Sequence, residues 1–218
     1  DPMHWNPNEG KFVQNTLDSF MHSEGIYWDK NETYVTLEDT EFTMQGTAIS
    51  KALIEEKDPD KWIENSIKSL AVLSDYAAPL NINVIVENHG RITSNVPLLM
   101  QAINGSQKSN CGTLPDFGNF CIAEEGYGSV FDGSCKEIYD FYKGVTEMMP
   151  RAFGVSAKSN DFDAEGNETT LDFMKLMTIV KEAGYTGFVG VEYEGFRLSE
   201  KEGIIATKKL LETIGAKL

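Results

Sequence analysis

Basic residues are scarce in this sequence: 19 Lys and Arg stand against 34 Asp and Glu over 218 residues, for a net charge of −15. A nucleic-acid backbone is neutralised by clustered Lys and Arg, so this balance argues against a nucleic-acid partner. Cysteine and histidine are equally sparse, at three each. An odd cysteine count without finger-type spacing reads Cys111, Cys121 and Cys135 as reduced thiols and points to a cytoplasmic setting. No apolar run approaches the roughly 20 residues that span a bilayer, so no membrane partner is expected. No signal peptide is visible in the stretch that opens on Asp1-Pro2-Met3. What is present, 41% hydrophobic residues, suits one large domain or two small ones with a sizeable core. The acid excess fits a small neutral ligand or one bridged by a cation.

Three apolar runs each end in a carboxylate. They are Val84-Ile85-Val86-Glu87, Cys111-Gly112-Thr113-Leu114-Pro115-Asp116 and Phe188-Val189-Gly190-Val191-Glu192. A fourth run, Ala152 to Ser156, is followed by Lys158. In parallel α/β architectures the carboxyl ends of the strands form the active face, so these acids converge on one cavity. Carboxylates brought side by side need a cation or shared protons. The pattern therefore predicts a metal-assisted or acid/base site.

From about residue 58 helices and strands alternate, which favours a parallel sheet. Asp58-Pro59 is a helix start, and the apolar stripe Trp62, Ile63, Ile67, Leu70, Ala71, Ser74 and Ala77 follows a 3.6-residue period up to Pro79. Strands are expected over 82–86, 111–114, 153–157 and 188–192. Helices are expected over 96–103, 135–148, 171–183 and 199–214, the last with a capping box from Ser199 and Glu202. Asp116 follows Glu87 by one barrel-type unit of about 30 residues, and Glu192 follows Asp116 by two. Residues 58–218 thus read as a (β/α) barrel portion carrying the site. Residues 1–57 form an irregular segment with a hairpin or two short strands at 34–37 and 41–44, and loops at 6–10 and 24–32. Only four or five barrel strands are found, so the expected fold is a TIM-barrel-like but incomplete or N-terminally divergent barrel.

With those residues in view, the chain resembles the sugar phosphate isomerase/epimerase family, the xylose-isomerase-like barrels related to AP endonuclease family 2. The resemblance is carried by Asn83 to Gly90 (NVIVENHG), Gly112 to Phe120 (GTLPDFGNF) and Gly187 to Gly195 (GFVGVEYEG). It implies a divalent metal held by Glu87, Asp116 and Glu192. Relatives often read His-x-Lys where this chain has Ser156-Ala157-Lys158. A hydroxyl is a poorer ligand than imidazole, so an all-carboxylate set suits Mg²⁺ or Mn²⁺ better than Zn²⁺.

The implied activity is that of a sugar or sugar-phosphate isomerase/epimerase working through an enediolate. Glu87 and Glu192 would be both ligands and the acid/base pair, with His89 and Lys158 polarising oxygens. Asn119, Glu194 and Arg197 are the candidate substrate contacts. Plainer readings stay open for each: a strand-end acid in a salt bridge, a buried hydrogen-bonding histidine, a turn at Asp116 to Asn119, and a Lys158 that only neutralises Glu192. A lyase or hydrolase of an oxidised sugar, or a non-catalytic carbohydrate-binding relative, are the alternatives. A half barrel would also leave sheet edges open, to be covered by residues 1–57, by a second copy in a homo-oligomer, or by more of a longer chain. Asp161 to Asp172 resembles a calcium loop in part, but Glu168 takes the usual apolar place. It reads as a solvated loop in which Thr169 or Thr170 caps the next helix.

Overall fold

The structure, a computed structural model, describes residues 58–123, 130–131 and 133–218 in full, together with the backbone of four short strands in the first 57 residues. The chain divides into two units between Asp58 and Pro59. In the first, β1 (Trp5–Asn6) pairs antiparallel with β2 (Lys11–Phe12), and β3 (Ile26–Trp28) pairs antiparallel with β4 (Val35–Leu37). The segment expected as a loop at 24–32 therefore contains a strand, which is the partner of Val35–Leu37. The expected strand at 41–44 lies outside the described residues.

The second unit is built from β/α repeats. Helix α1 (Pro59–Ala77) is followed by β5 (Val84–Glu87), α2 (Val96–Gly105), β6 (Cys111–Leu114), α3 (Phe141–Met148), β7 (Val155–Ser159), α4 (Phe173–Glu182), β8 (Val189–Tyr193) and α5 (Glu200–Gly215). β5 pairs parallel with β6 and β7 with β8. Pro115 cannot donate to a ladder. Between β6 and β7 the sheet continues only through the parallel bridges Thr113↔Ala152 and Asp116↔Ser156. There Ser156 N–H donates to Pro115 O at 2.9 Å, and Phe117 N–H donates to Ser156 O at 3.1 Å. The four strands thus lie in sequence order, a four-stranded parallel part of a barrel.

Helices cover one face. Leu99, Ile103, Val145, Met148 and Leu176 are fully buried there, with Cys111, Val155 and Ala157 from the strands. α1 packs on α2, α3 on α4, α4 on α5, and α5 on β8. On α1 the buried positions are Trp62, Ser66, Leu70, Ser74 and Ala77, so the stripe runs along Ser66 and not Ile63 or Ile67. Tyr139, Phe141 and Tyr142 are half-buried, less deep than their aromatic character suggests, whereas Met148 and Met149 are core. Ile85, Phe153 and Phe188 remain exposed, Phe188 by 95%.

Two local expectations change. Helix α3 begins at Phe141, not near Cys135, because residues 137–139 pair with residues 120–122. Cys121 bridges antiparallel to Ile138, Ile122 N–H donates to Glu137 O at 2.9 Å, and Tyr139 N–H donates to Phe120 O at 2.9 Å. Asp140 then caps the helix by accepting from Lys143 N–H at 2.7 Å. Asp172, not Thr169 or Thr170, caps α4 through Lys175 N–H at 2.9 Å. Ser199 and Glu202 form the expected capping box.

The cysteines depart further from the expectation. Cys121 and Cys135 form a disulfide with Cα atoms 5.7 Å apart, and Cys111 is free and buried. The pairing of residues 120–122 with 137–139, invisible in sequence spacing, brings the pair together. The reduced-thiol reading falls for these two, and with it the support that the cysteines gave to a cytoplasmic setting. No helix among the described residues is long and apolar enough to cross a membrane. Closing a loop of this length constrains the unfolded chain by about 3 kcal/mol in the chain-entropy picture. Cys135→Ser is therefore expected to lower the thermal midpoint by several degrees, which scanning calorimetry under non-reducing conditions will read.

Candidate functional site

Sheet register places the acids. In β5 the side chains of Ile85 and Glu87 share a face, and Glu87 stands opposite Leu114. Two residues on, Asp116 occupies the same face and stands opposite Ser156. Lys158, two further along β7, stands opposite Glu192. Glu87, Asp116, Lys158 and Glu192 thus gather at or just past the carboxyl ends of four adjacent strands, with Ser156, near the start of β7, beside Asp116. One carboxylate oxygen from each of Glu87, Asp116 and Glu192 lies within 4.8 Å of the others.

Asp116 is fully buried. Its Oδ1 accepts from Gly118 N–H at 2.9 Å and Asn119 N–H at 2.8 Å, so the turn wraps around it. Its Oδ2 is buried with no hydrogen-bond partner, because the neighbouring Ser156 hydroxyl donates to Glu192 instead. An unpaired buried oxygen of this kind is costly unless something binds it. Lys158 is 2% exposed. Its Nζ lies 3.0 Å from Glu192 Oε1, 3.0 Å from Glu194 Oε2 and 3.1 Å from Asn119 Oδ1, which uses all three of its hydrogens. Asn119 Nδ2 donates to Glu87 Oε1 at 3.0 Å, so this amide links Glu87 to Lys158. Ser156 Oγ donates to Glu192 Oε2 at 2.7 Å.

A buried residue that sequence reasoning did not single out holds this turn. The Asn88 side chain donates to Asp116 O at 3.0 Å and Asn119 O at 2.9 Å, and accepts from Asp116 N–H at 2.7 Å. Ser94 Oγ also donates to Asn119 O, at 2.5 Å. The only signal was its position between Glu87 and His89. Gly90, at φ 88°, makes the turn that brings Ser94 back.

The other candidates are placed differently. His89 is exposed past the end of β5, outside the carboxylate cluster, but close enough for its charge to act on Glu87. Its backbone N–H donates to Thr93 Oγ1 at 3.0 Å. Glu194 is half-exposed against Lys158. Arg197 Nε lies 2.6 Å from Asp161 Oδ1, and its Nη2 donates to Phe162 O at 2.5 Å, which fastens the loop after β8 to the loop after β7. In that second loop Glu168 is buried and accepts from the N–H groups of Asn160, Asp161, Thr170 and Leu171, the internal use of a carboxylate that sets it apart from a calcium loop.

The electrostatics separate the acids. Burial pushes the Asp116 carboxyl up from 3.8 to about 8, with Lys158 opposing the rise and Glu192 adding to it. Burial also raises Glu87, against the pull of His89. For Glu192 burial acts upward too, but hydrogen bonds from Ser156 and Lys158 hold it below the usual range. Burial works to lower Lys158, but the Asp116 charge and the bonds to Glu192 and Glu194 outweigh it and keep the ammonium charged. One carboxyl that prefers its proton, beside one that stays ionised, is the arrangement that either a shared proton or a divalent cation satisfies. Three carboxylates with an orphaned inward oxygen fit a hard cation.

The family described as "Xylose isomerase-like TIM barrel" matches residues 33–214. The inosose isomerase of Bacillus velezensis is 25% identical over 160 residues, 71% of this chain and 56% of that protein. The C-glycoside deglycosidase alpha subunit of Arthrobacter globiformis is 35% identical over 66 residues, 29% of this chain and 19% of that protein. The chain therefore spans about half the length of the former and a fifth of the latter. The crystal structure of AP endonuclease, family 2 from Brucella melitensis superposes with a TM-score of 0.51 at 18% identity, over 91% of this chain and 83% of that one. Fold, strand-end carboxylates and family match agree, and the chain belongs to the xylose isomerase-like TIM-barrel family.

Proposed function

We propose that the chain carries the active site of a sugar or cyclitol isomerase/epimerase that depends on a divalent metal, with Glu87, Asp116 and Glu192 as the ligands. The observation that carries this reading is the buried, unpartnered Asp116 Oδ2 inside a cluster of three carboxylates. The all-oxygen donor set favours Mg²⁺ or Mn²⁺ over Zn²⁺. When bound, such an ion supplies polarisation of a substrate carbonyl and its neighbouring hydroxyl.

The chain's own residues do the rest. Glu192, kept ionised by Ser156 and Lys158, is the base that removes the proton next to the carbonyl. Glu87, the other strand-end carboxylate of the cluster, is the group that would hand a proton to the other carbon or face. Lys158 stays charged and offsets negative charge as the enediolate forms, at the cost of one of its three present bonds. Asn119 holds Glu87 at its working distance. His89, exposed just past Glu87, is the group placed to meet a substrate oxygen from outside the cluster, whereas Arg197 serves to fasten the two loops. The name of the inosose isomerase relative suggests the substrate class, a polyhydroxylated ketone. A second reading, cleavage of an oxidised sugar begun by the same proton removal, has the local identity to the deglycosidase subunit in its favour.

The test is proton exchange. Incubated with Mn²⁺ and an inosose in D₂O, the protein is expected to place deuterium next to the ketone and to form an isomer, both seen by NMR. An elimination product would select the second reading, and no exchange would refute both.

A further inference from the structure

Phe131 has no part in that chemistry, yet it lies against the turn that holds Asp116. A Cβ built on Gly118 would stand 2.6 Å from Phe131 Cε2, 2.7 Å from Cζ and 3.0 Å from Lys158 Cδ. The ring therefore rests on the bare Cα of Gly118 and beside the stem of Lys158, the cation of the cluster. Gly118 is itself fixed, since its N–H donates to Asp116 Oδ1. Phe131 is half-buried.

Described residues on either side of the ring in sequence are joined to each other beside the site turn. Cys121, two residues past Asn119, is bonded to Cys135, four past Phe131. Cys121 O accepts from Arg91 N–H at 2.7 Å, and the pairing of 120–122 with 137–139 continues the closure. The disulfide thus ties an aromatic ring to the site-bearing turn.

We propose that Phe131 is a substrate-contacting residue: the apolar wall against which the C–H face of a neutral sugar or cyclitol ring lies, held in place by the Cys121–Cys135 disulfide. The inference rests on the reading of the site as one for sugars. The site groups named above are carboxylates, an ammonium, an amide and a hydroxyl, all suited to the hydroxyl rim of a sugar. None offers surface to the sugar's apolar face, and an aromatic ring does. Glycine at 118 lets the ring approach the turn this closely.

The test is titration of the Mn²⁺-loaded protein with an inosose in a calorimeter, alongside steady-state kinetics. Phe131→Ala is expected to weaken inosose binding about tenfold and to raise KM with kcat retained. Mn²⁺ affinity should not change. Phe131→Tyr should restore binding to within about twofold of the native protein, and Cys135→Ser should share the loss. Native inosose affinity in Phe131→Ala would overturn the proposal even if Mn²⁺ binds and exchange proceeds. Equal losses in kcat and KM that Phe131→Tyr does not rescue would assign the ring to packing around Lys158 alone, and overturn it too. Absence of both Mn²⁺ binding and proton exchange would refute the isomerase reading itself, and absence of inosose binding by the native protein would refute Phe131's role with it.

Discussion

Asp116→Asn is expected to lower affinity for Mn²⁺ by more than about 100-fold, beyond the loss typical of an outer-shell change, while leaving the fold intact. The amide oxygen still accepts from Gly118 and Asn119 N–H, as Asp116 Oδ1 does. The amide nitrogen takes the place of the orphaned Oδ2, so a donor replaces the acceptor that a cation needs. The same variant isolates a pH effect. The Asp116 carboxyl titrates near 8 in the folded chain against an ordinary value of 3.8. Between those values the folded state binds more protons than the unfolded state, so stability falls as pH rises. The metal-free protein should therefore melt lower at pH 8 than at pH 5, with Glu87 acting in the same direction. In Asp116→Asn most of that slope should vanish, as thermal denaturation in a chelating buffer would show. A variant that binds Mn²⁺ within twofold of the native protein would remove Asp116 from the ligand set.

Lys158→Met should destabilise the metal-free protein by about 3 kcal/mol at neutral pH, the low end for breaking a buried ion pair. Methionine matches the buried stem, so the loss is electrostatic. Glu192 and Glu194 would face each other with no counter-charge, while Asp116 keeps its proton at neutral pH. Their side chains are 35% and 54% exposed, and solvent relieves part of the repulsion. A divalent ion supplies the missing positive charge, so added Mn²⁺ should raise the melting temperature more in the variant than in the native protein. Urea denaturation with and without Mn²⁺ separates the two effects. Unchanged stability in Lys158→Met would mean that the carboxylates already share their charge with protons alone.

The strand-end acids were legible because each closes a short apolar run, and Glu87, Asp116 and Glu192 do converge. Parallel pairing and helix order followed from alternation of type, and the Ser199 cap from its side chain and Glu202. What escaped the sequence depends on long-range pairing. The Cys121–Cys135 bond exists because residue 121 lies beside 138, and no periodicity announces a single antiparallel bridge. That same bridge delays α3 to Phe141, past the start that local pattern predicts. The role of Asn88, bonding the backbone of a turn 28 residues away, leaves no mark on local pattern. The strand at Ile26–Trp28 was hidden by turn-like neighbours and is defined by its partner.

The most direct test of the central claim is calorimetric titration of the chelator-treated protein with Mn²⁺, with the Asp116→Asn variant run beside it. The expected result is one ion per chain, a rise in melting temperature on binding, and loss of both in the variant. No binding by the native protein, or equal binding by the variant, would contradict a metal centre built on Glu87, Asp116 and Glu192.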